Sequence, residues 1–313
     1  MNYVLGIDIG GTKVAIGLVG EDGVLYHQAK IPTDVKANPE DVIHQLFGGI
    51  DTLIEQSGVQ FEKIHGIGIG APGPLDSKKG LITCPPNLPK WHDVNIVHLF
   101  KEKYKLPVRL ENDCNAATLA EKWIGAAQPN EDFMYLTIST GIGSGIYSDG
   151  RLISGKSGNA GDVGHMMIDP SYGTCTCGQK GCWEWIASGT GIARQGSELL
   201  GRPVTAEEVF TLYNQGDLSV KEMIEPIFTI IGAGCTNLIN AFDPEKIVIG
   251  GGVSKVGDPL FKVVQSYVQK YALSPSGRET QIVSSGLDHN AGTIGAAALL
   301  FQIEHAIDNT CSR

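Results

Sequence analysis

Between Asn159 and Glu184 the chain gathers residues that bind metals and residues that bind hydroxyls. It reads Asn-Ala-Gly-Asp-Val-Gly-His and then, after nine further residues, Cys-Thr-Cys-Gly-Gln-Lys-Gly-Cys-Trp-Glu. His165, Cys175, Cys177 and Cys182 together make the ligand count of a closed tetrahedral zinc site. Carboxylates adjoin that set at Asp162 and Glu184. A metal that only stapled a loop has no need of them, whereas a polar pocket ordered by the metal does. A Cys-x-Cys-x4-Cys run with a lone upstream histidine also suits reactive thiols or a metal-free loop. The spacing alone therefore leaves the metal open.

Glycine-rich turns supply a second kind of chemistry. A phosphate needs backbone N–H groups aimed at it and no side chain in the way. Gly10-Gly11-Thr12 forms such a turn between apolar runs at 3–7 and 14–19, with a hydroxyl donor added. Asp8, at the end of the first run, could hold Mg2+ directly or through water. Lys13 reads equally as a phosphate contact or as a solvated lysine at a hairpin turn. The pattern returns at Thr140-Gly141-Ile142-Gly143, after an apolar run at 133–138. Two matched turns could clamp a polyphosphate. Gly68-Ile69-Gly70-Ala71-Pro72-Gly73 spells the dinucleotide fingerprint but must open a helix to act as one, and Pro72 and Pro74 forbid that. No Walker A sequence is present.

Asn112 and Asp113 follow a short strand at 108–110 and precede a helix expected at 115–126. Open α/β sheets place ligands at such strand ends. An aspartate there can take the proton of an attacking hydroxyl. Either residue can instead cap the helix, and the local pattern by itself favours the cap. Glu111 and Arg109 read as strand-edge charges.

The elements that must position these groups alternate between strand and helix. Helical spacing appears at 38–56, with Asn38 as cap and Pro39 in first position. A buried-type strand is expected at 64–70, an irregular Pro-rich stretch at 71–91, and a helix at 94–103. The second half continues with helices at 191–200, 206–214, 220–240, 259–271 and 292–307, and strands at 246–250 and 281–284. Two strand–glycine-turn–strand units suggest a duplicated α/β architecture. The 313 residues suffice for two domains, and 42% hydrophobic residues suffice for their cores. The net charge of −10, with no basic run, argues against nucleic-acid or anionic-membrane partners. No apolar run approaches the roughly 20 residues of a membrane span, and no signal peptide is evident, so a cytoplasmic protein is expected. Three of the seven cysteines cluster in the metal segment. Cys84, Cys114, Cys235 and Cys311 are scattered and make no disulfide framework. Trp183 and Trp185 read as packing residues beside Glu184.

Asp-Ile-Gly-Gly-Thr-Lys at 8–13, Glu-Asn-Asp-Cys-Asn-Ala at 111–116 and Thr-Gly-Ile-Gly at 140–143 resemble the ROK family of sugar kinases and related repressors. So do Gly-Asp-Val-Gly-His at 161–165, the cysteine motif at 175–184 and Gly-Gly-Gly-Val-Ser at 250–254, and the resemblance covers essentially the whole chain. It implies an actin/hexokinase-like fold, α/β and two-lobed, with the active site in an interlobe cleft. The lobes would be 1–114 plus about 293–313, and 115–292 with the zinc loop. By this resemblance Asp113 is the catalytic base, which reverses the local preference for a cap. Gly73, Asn87, Asn112, Asp113, Asp162, His165 and Glu184 would meet the sugar, with His165 using one ring nitrogen for zinc and the other for the sugar. Asp8, Gly10, Gly11, Thr12, Lys13, Thr140, Gly141 and Gly143 would serve ATP and its Mg2+, and Gly251 and Gly252 the nucleoside. Zn2+ would be structural, on His165, Cys175, Cys177 and Cys182. Most sugar kinases of the family carry Glu where this chain has Asp162. The shorter side chain could reach the same hydroxyl through a shifted sugar or a water.

The implied activity is ATP-dependent phosphorylation of a hexose at its 6-hydroxyl, with glucose the leading substrate. An N-acetylmannosamine kinase, which residues 186–191 resemble, or a fructokinase are the alternatives within the family. A sugar-responsive repressor is the alternative of another class. It would carry a helix-turn-helix ahead of the kinase-like body, and the motif at Asp8 leaves no room for one. The family resemblance suggests a homodimer.

Overall fold

The computed structural model describes residues 1–287 and 290–310, with 302–310 as helix backbone. Strand β1 (Tyr3–Ile9) reverses through the first glycine turn into β2 (Lys13–Gly20), and β3 (Leu25–Pro32) pairs antiparallel with β2. From Val14 onward β2 is buried throughout, which is why its sequence is a continuous apolar run. Along β3, half-buried and exposed residues alternate, as in a strand with one face to water. Helix α1 (Pro39–Ser57) begins after Asn38, buries Val42, Ile43, Leu46, Ile50 and Leu53, and stops at Gly58 in the left-handed conformation. Strands β4 (Ile64–Ala71) and β7 (Val108–Asn112) extend the sheet in parallel, giving the order β3-β2-β1-β4-β7. Between β4 and β7 lie β5 (Leu75–Asp76), β6 (Leu81–Ile82) and α2 (Ile96–Tyr104). The stretch at 71–91 is thus not wholly irregular, because β5 and β6 pair as a small antiparallel hairpin. Helix α3 (Asp113–Trp123) follows β7 directly.

The same pattern then repeats. Strands β8 (Phe133–Ile138) and β9 (Ile142–Ser148) are antiparallel around the second glycine turn, and β10 (Arg151–Leu152) follows. After the metal segment come α4 (Trp183–Ala187), α5 (Gly189–Leu200), α6 (Ala206–Gln215) and α7 (Leu218–Phe242). The chain continues through β11 (Lys246–Gly250), α8 (Asp258–Tyr271), α9 (Pro275–Glu279), β12 (Gln281–Ser284) and α10 (Ala291–Thr310). The second sheet has the order β10-β9-β8-β11-β12, and β8, β11 and β12 run parallel. Its strand order repeats that of the first sheet position for position. The duplication expected from the two glycine turns is therefore present at the level of whole sheets.

The chain divides into two units. One comprises Met1–Gln128, Leu152–Ala160 and His289–Arg313, and the other Pro129–Arg151 and Gly161–Asp288. Helix α10 returns to the first unit and packs on β1, β4 and α3. It lies at backbone contact with the sheet: a Cβ at Gly6 would run into the carbonyl of Thr293, and one at Gly68 into that of Ala296. Gly295 likewise faces the carbonyl of Ala116, so α3 and α10 meet without side chains between them. This contact gives α3 to the first unit, whereas a boundary at 114 would assign it to the second. Gly68 and Gly70, two of the three glycines of the apparent dinucleotide fingerprint, are strand glycines, and the next element is a strand. Cys114 and Cys235 are buried, Cys84 is exposed, and Cys311 lies outside the described residues. Among the described residues no helix is long and apolar enough to cross a membrane.

The close approach at Gly68 makes a prediction. Gly68→Ala places a methyl group against an immovable backbone carbonyl and should cost about 1–3 kcal/mol of stability, the usual penalty for overpacking. A urea midpoint equal to that of the wild type would contradict the contact.

Candidate functional site

In the first unit the chemistry collects at the C-terminal ends of β1 and β7. Asp8 stands near the end of β1, and its carboxylate lies where a Cβ on Gly292, in the first turn of α10, would fall. Burial, and then the charge of Asp113, push Asp8 up from its ordinary 3.8 to about 7, while Lys13 pulls it down. The turn that follows is closed by Gly10 N–H donating to the Lys13 carbonyl at 3.0 Å. Thr33 braces it from the loop after β3, its hydroxyl donating to the Gly10 carbonyl at 2.9 Å and its N–H to the Thr12 carbonyl at 3.0 Å. Gly11 lies against Asn87, whose Cβ would be 3.2 Å from a Cβ at Gly11. An expected sugar residue and the expected phosphate turn are therefore neighbours.

At the end of β7 the capping role falls to one of the two residues. Asn112 is the cap of α3, its side chain accepting from the N–H groups of Cys114 and Asn115 at 2.9 and 3.3 Å. Asp113 is the first residue inside the helix. Its carboxylate accepts the Cys114 N–H at 2.8 Å, and burial raises its proton affinity despite that bond. Gly73 faces this corner: a Cβ there would sit 3.3 Å from Asn159 Oδ1 and 3.6 Å from Asn112 Nδ2. Asn159 in turn grips Leu75 by both of its backbone groups, at 3.1 and 2.9 Å. Glu111 corrects an expectation. It is not a strand-edge charge but is buried, 7% exposed, whereas Arg109 two residues earlier is exposed.

In the second unit the metal segment and the second glycine turn form one assembly. The candidate ligand atoms of His165, Cys175, Cys177 and Cys182 all lie within 4.8 Å of one another. Tetrahedral zinc with sulfur at about 2.3 Å and nitrogen at about 2.0 Å requires ligand separations of roughly 3.5–3.8 Å. Cys175 Sγ lies 3.8 Å from His165 Nδ1, and Cys177 Sγ lies 3.5 Å from Cys182 Sγ. The donor set therefore fits, with Nδ1 as the metal-facing nitrogen. Backbone bonds shape the loop: Cys175 N–H donates to the Gln179 carbonyl at 2.8 Å, and Gly178 N–H to the Cys175 carbonyl at 2.9 Å. Gln179 Nε2 donates to the His165 carbonyl at 2.5 Å and lies 3.6 Å from Cys182 Sγ.

Cys182 is also the residue before α4, so the metal segment runs directly into the helix that carries Glu184. One oxygen of Glu184 accepts the Ile142 N–H at 2.8 Å, and the same oxygen lies where a Cβ on Gly141 would fall. The α4–α5 junction adds two bonds to that turn. Gly189 N–H donates to the Ser139 carbonyl at 2.6 Å, and the Thr190 hydroxyl to the Thr140 carbonyl at 2.8 Å. These anchors of the phosphate-type turn are legible only in the structure. Thr140 is exposed, and Gly141 and Gly143 are half-buried. Gly251, at a φ of 88°, abuts the carbonyl of Ile138 at the base of the same turn, and Gly252 beside it is exposed. Asp162 is exposed and His165 half-buried. Trp183 is buried and packs on Gly234 of α7, while Trp185 is covered by the Arg194 guanidinium 4.0 Å from its ring centre.

A family model described as the ROK family matches residues 4–303. The chain belongs to the ROK family. It is 33% identical to a glucokinase from Thermotoga maritima, over 95% of this chain and 96% of that one. It is 28% identical to a xylose repressor from Bacillus subtilis, over 98% of this chain and 78% of the repressor. Among solved structures, a ROK family glucokinase from Streptomyces griseus, in complex with glucose and AMPPNP, matches with a TM-score of 0.81 and 29% identity. That match covers 96% of this chain and 100% of the other. The fold of this ROK protein is accordingly actin/hexokinase-like.

The buried acid at the end of β1 gives a pH prediction. The folded state holds the Asp8 proton more tightly than the unfolded state does, about 7 against 3.8. Its favourable contribution is therefore full below the unfolded value and disappears as pH rises through 7. In metal-free buffer Asp8→Asn should exceed the wild type in stability by up to about 4 kcal/mol at about pH 8, with the gap closing towards about pH 4. Thermal melts across that range would refute the account if the gap were independent of pH.

Proposed function

We propose that this ROK protein transfers the terminal phosphoryl group of ATP to the 6-hydroxyl of a hexose, with glucose the leading substrate. The observation that carries the reading is the corner at the end of β7. Asn112 takes over the capping of α3. This leaves Asp113 as a buried carboxylate of raised proton affinity, adjacent to the Asp8 that ends β1. A carboxylate of raised proton affinity is the better acceptor for a hydroxyl proton. Asp113 accepts the proton of the 6-hydroxyl as that oxygen bonds to the terminal phosphorus, and the bond from phosphorus to the bridging oxygen breaks to release ADP. The glycine turns at 10–12 and 140–143 present N–H groups to the phosphates, so most of the rate comes from placement and charge neutralisation. Mg2+ arrives with ATP, and Asp8 is the carboxylate that would hold it.

For the sugar, Asn112, Gly73 and Asn87 serve in the first unit, and Asp162, His165 and Glu184 in the second. Zinc on His165, Cys175, Cys177 and Cys182 would order the segment that carries those second-unit residues. With Nδ1 turned to the metal, His165 keeps Nε2–H to donate to a hydroxyl. Glu184 spends one oxygen on the Ile142 N–H and keeps the other for the sugar. The likeness to the Thermotoga glucokinase and to the glucose-bound Streptomyces enzyme supports glucose over other hexoses. The likeness to the Bacillus xylose repressor supports a second reading, a sugar-responsive regulator built on the same body.

A coupled ADP-release assay over hexoses and N-acetylhexosamines, with Mg-ATP and zinc-replete protein, separates the two readings. Glucose should stimulate release most strongly, and a panel with no active sugar would leave only the regulator. Asp113→Asn should lower kcat by about 10³-fold, within the range of general-base losses, while sugar binding measured by calorimetry persists. Metal analysis should find one zinc per chain, lost in Cys182→Ser. Stripping it should weaken sugar affinity and lower the melting temperature, and a chelated protein with unchanged glucose affinity would break the link between zinc and the sugar segment.

A further inference from the structure

Glu111 is a buried carboxylate, 7% exposed. Among the described residues none forms an ion pair with it, and Arg109 on the same strand is exposed. Its Oε1 instead accepts the N–H of Asn112 at 2.9 Å and the side-chain amide of the fully buried Asn115 at 3.0 Å. Its other oxygen lies 3.5 Å from the Ser154 hydroxyl. A buried acid costs free energy that an apolar residue of the same size avoids, so packing alone does not explain its presence. What it does is geometric. The cap residue of a helix has an N–H with no partner inside the helix. Glu111 supplies that partner for Asn112 and ties the same oxygen to α3 one turn further on, at Asn115. The backbone of residues 112–113 is therefore flanked by two held N–H groups, that of Asn112 on Glu111 and that of Cys114 on the Asn112 and Asp113 side chains.

We propose that Glu111 is a positioning residue for Asp113: by accepting from Asn112 N–H and Asn115 Nδ2 it fixes the orientation of the first turn of α3, and with it the carboxylate that meets the attacking hydroxyl. The inference rests on the kinase reading for its effect on turnover, but the pinning of residues 112–115 stands apart from it. Glu111 touches no substrate in this scheme and takes no proton. A carboxylate base displaced by a fraction of an ångström loses rate steeply, about 10²-fold for a full ångström.

The test compares Glu111→Gln, which keeps an oxygen acceptor, with Glu111→Leu, which keeps the size and loses the acceptor. Glu111→Leu should lower kcat by about 30-fold or more with KM for sugar and ATP within about threefold, and should speed amide exchange at residues 112–115. Glu111→Gln should keep kcat within about threefold and wild-type exchange. Wild-type kcat in Glu111→Leu, a loss confined to KM, or equal damage in both variants would overturn the proposal. If Glu111→Leu fails to fold, Asn115→Ala replaces it, with a smaller fall in kcat and the same local exchange signature. Unchanged kcat and exchange there would overturn the proposal too. If the wild type phosphorylates no sugar, the kinase reading falls, and amide exchange alone decides whether Glu111 pins α3.

Discussion

The hydrogen bond from Ile142 N–H to Glu184 joins parts of the second unit that are otherwise built for different purposes. Ile142 opens β9 at the edge of the glycine turn, and Glu184 stands on a short helix that starts directly after a candidate metal ligand. Five residues make a poor helix in isolation, because nucleation is costly and few bonds follow. Helix α4 holds its place because Trp183 fills the space that Gly234 leaves on α7, and because the Trp183 and Glu184 N–H groups donate to the carbonyls of Met166 and Gly164 at 2.9 and 2.8 Å. The turn, the helix and the metal segment are thus one mechanical piece. Its glycines are required for the same reason: Glu184 occupies the position that a side chain at residue 141 would need.

The two sheets share their order and the placement of a glycine turn between the first two strands, but they brace that turn by different means. In the first unit Thr33, on the loop after β3, accepts the task with its hydroxyl and N–H. In the second, β10 is too short to support such a loop, and the brace comes from α4 and α5 instead. A duplicated framework has therefore been finished twice, once by a neighbouring strand and once by a helix that a metal segment delivers.

Much of this was legible in the residue pattern, and the exceptions have physical causes. Period and caps located α1 and the sheet strands, because burial on one or both faces dictates residue type there. The cysteine motif named one His and three Cys but left the metal open, and only the structure brings their ligand atoms within 4.8 Å of one another. Asn112 and Asp113 were ambiguous, because an amide and a carboxylate cap a helix almost equally well. Only the observed bonds assign the cap to Asn112 and release Asp113. Glu111 was misread because strand alternation puts it on the face opposite Leu110, which suggests solvent. Helix α3 leaves β7 without a loop and covers that face, so the rule of alternation fails at the last turn of the strand. The bracing of the glycine turns was invisible for another reason: bonds to backbone carbonyls and N–H groups leave no compositional trace.

Helix α10 belongs to the unit whose sheet was the first to be synthesised, yet among the described residues it is the last helix. Until it emerges, the backbone surfaces of β1 and β4 at Gly6 and Gly68 have no cover, while every strand and helix of the second unit has already left the ribosome. Order of synthesis and order of completion are therefore reversed between the units. Uncovered sheet surface is the usual route to aggregation in larger chains. A truncation that spares every catalytic candidate but removes α10 would thus act on the yield of native protein, through the unit that was made first.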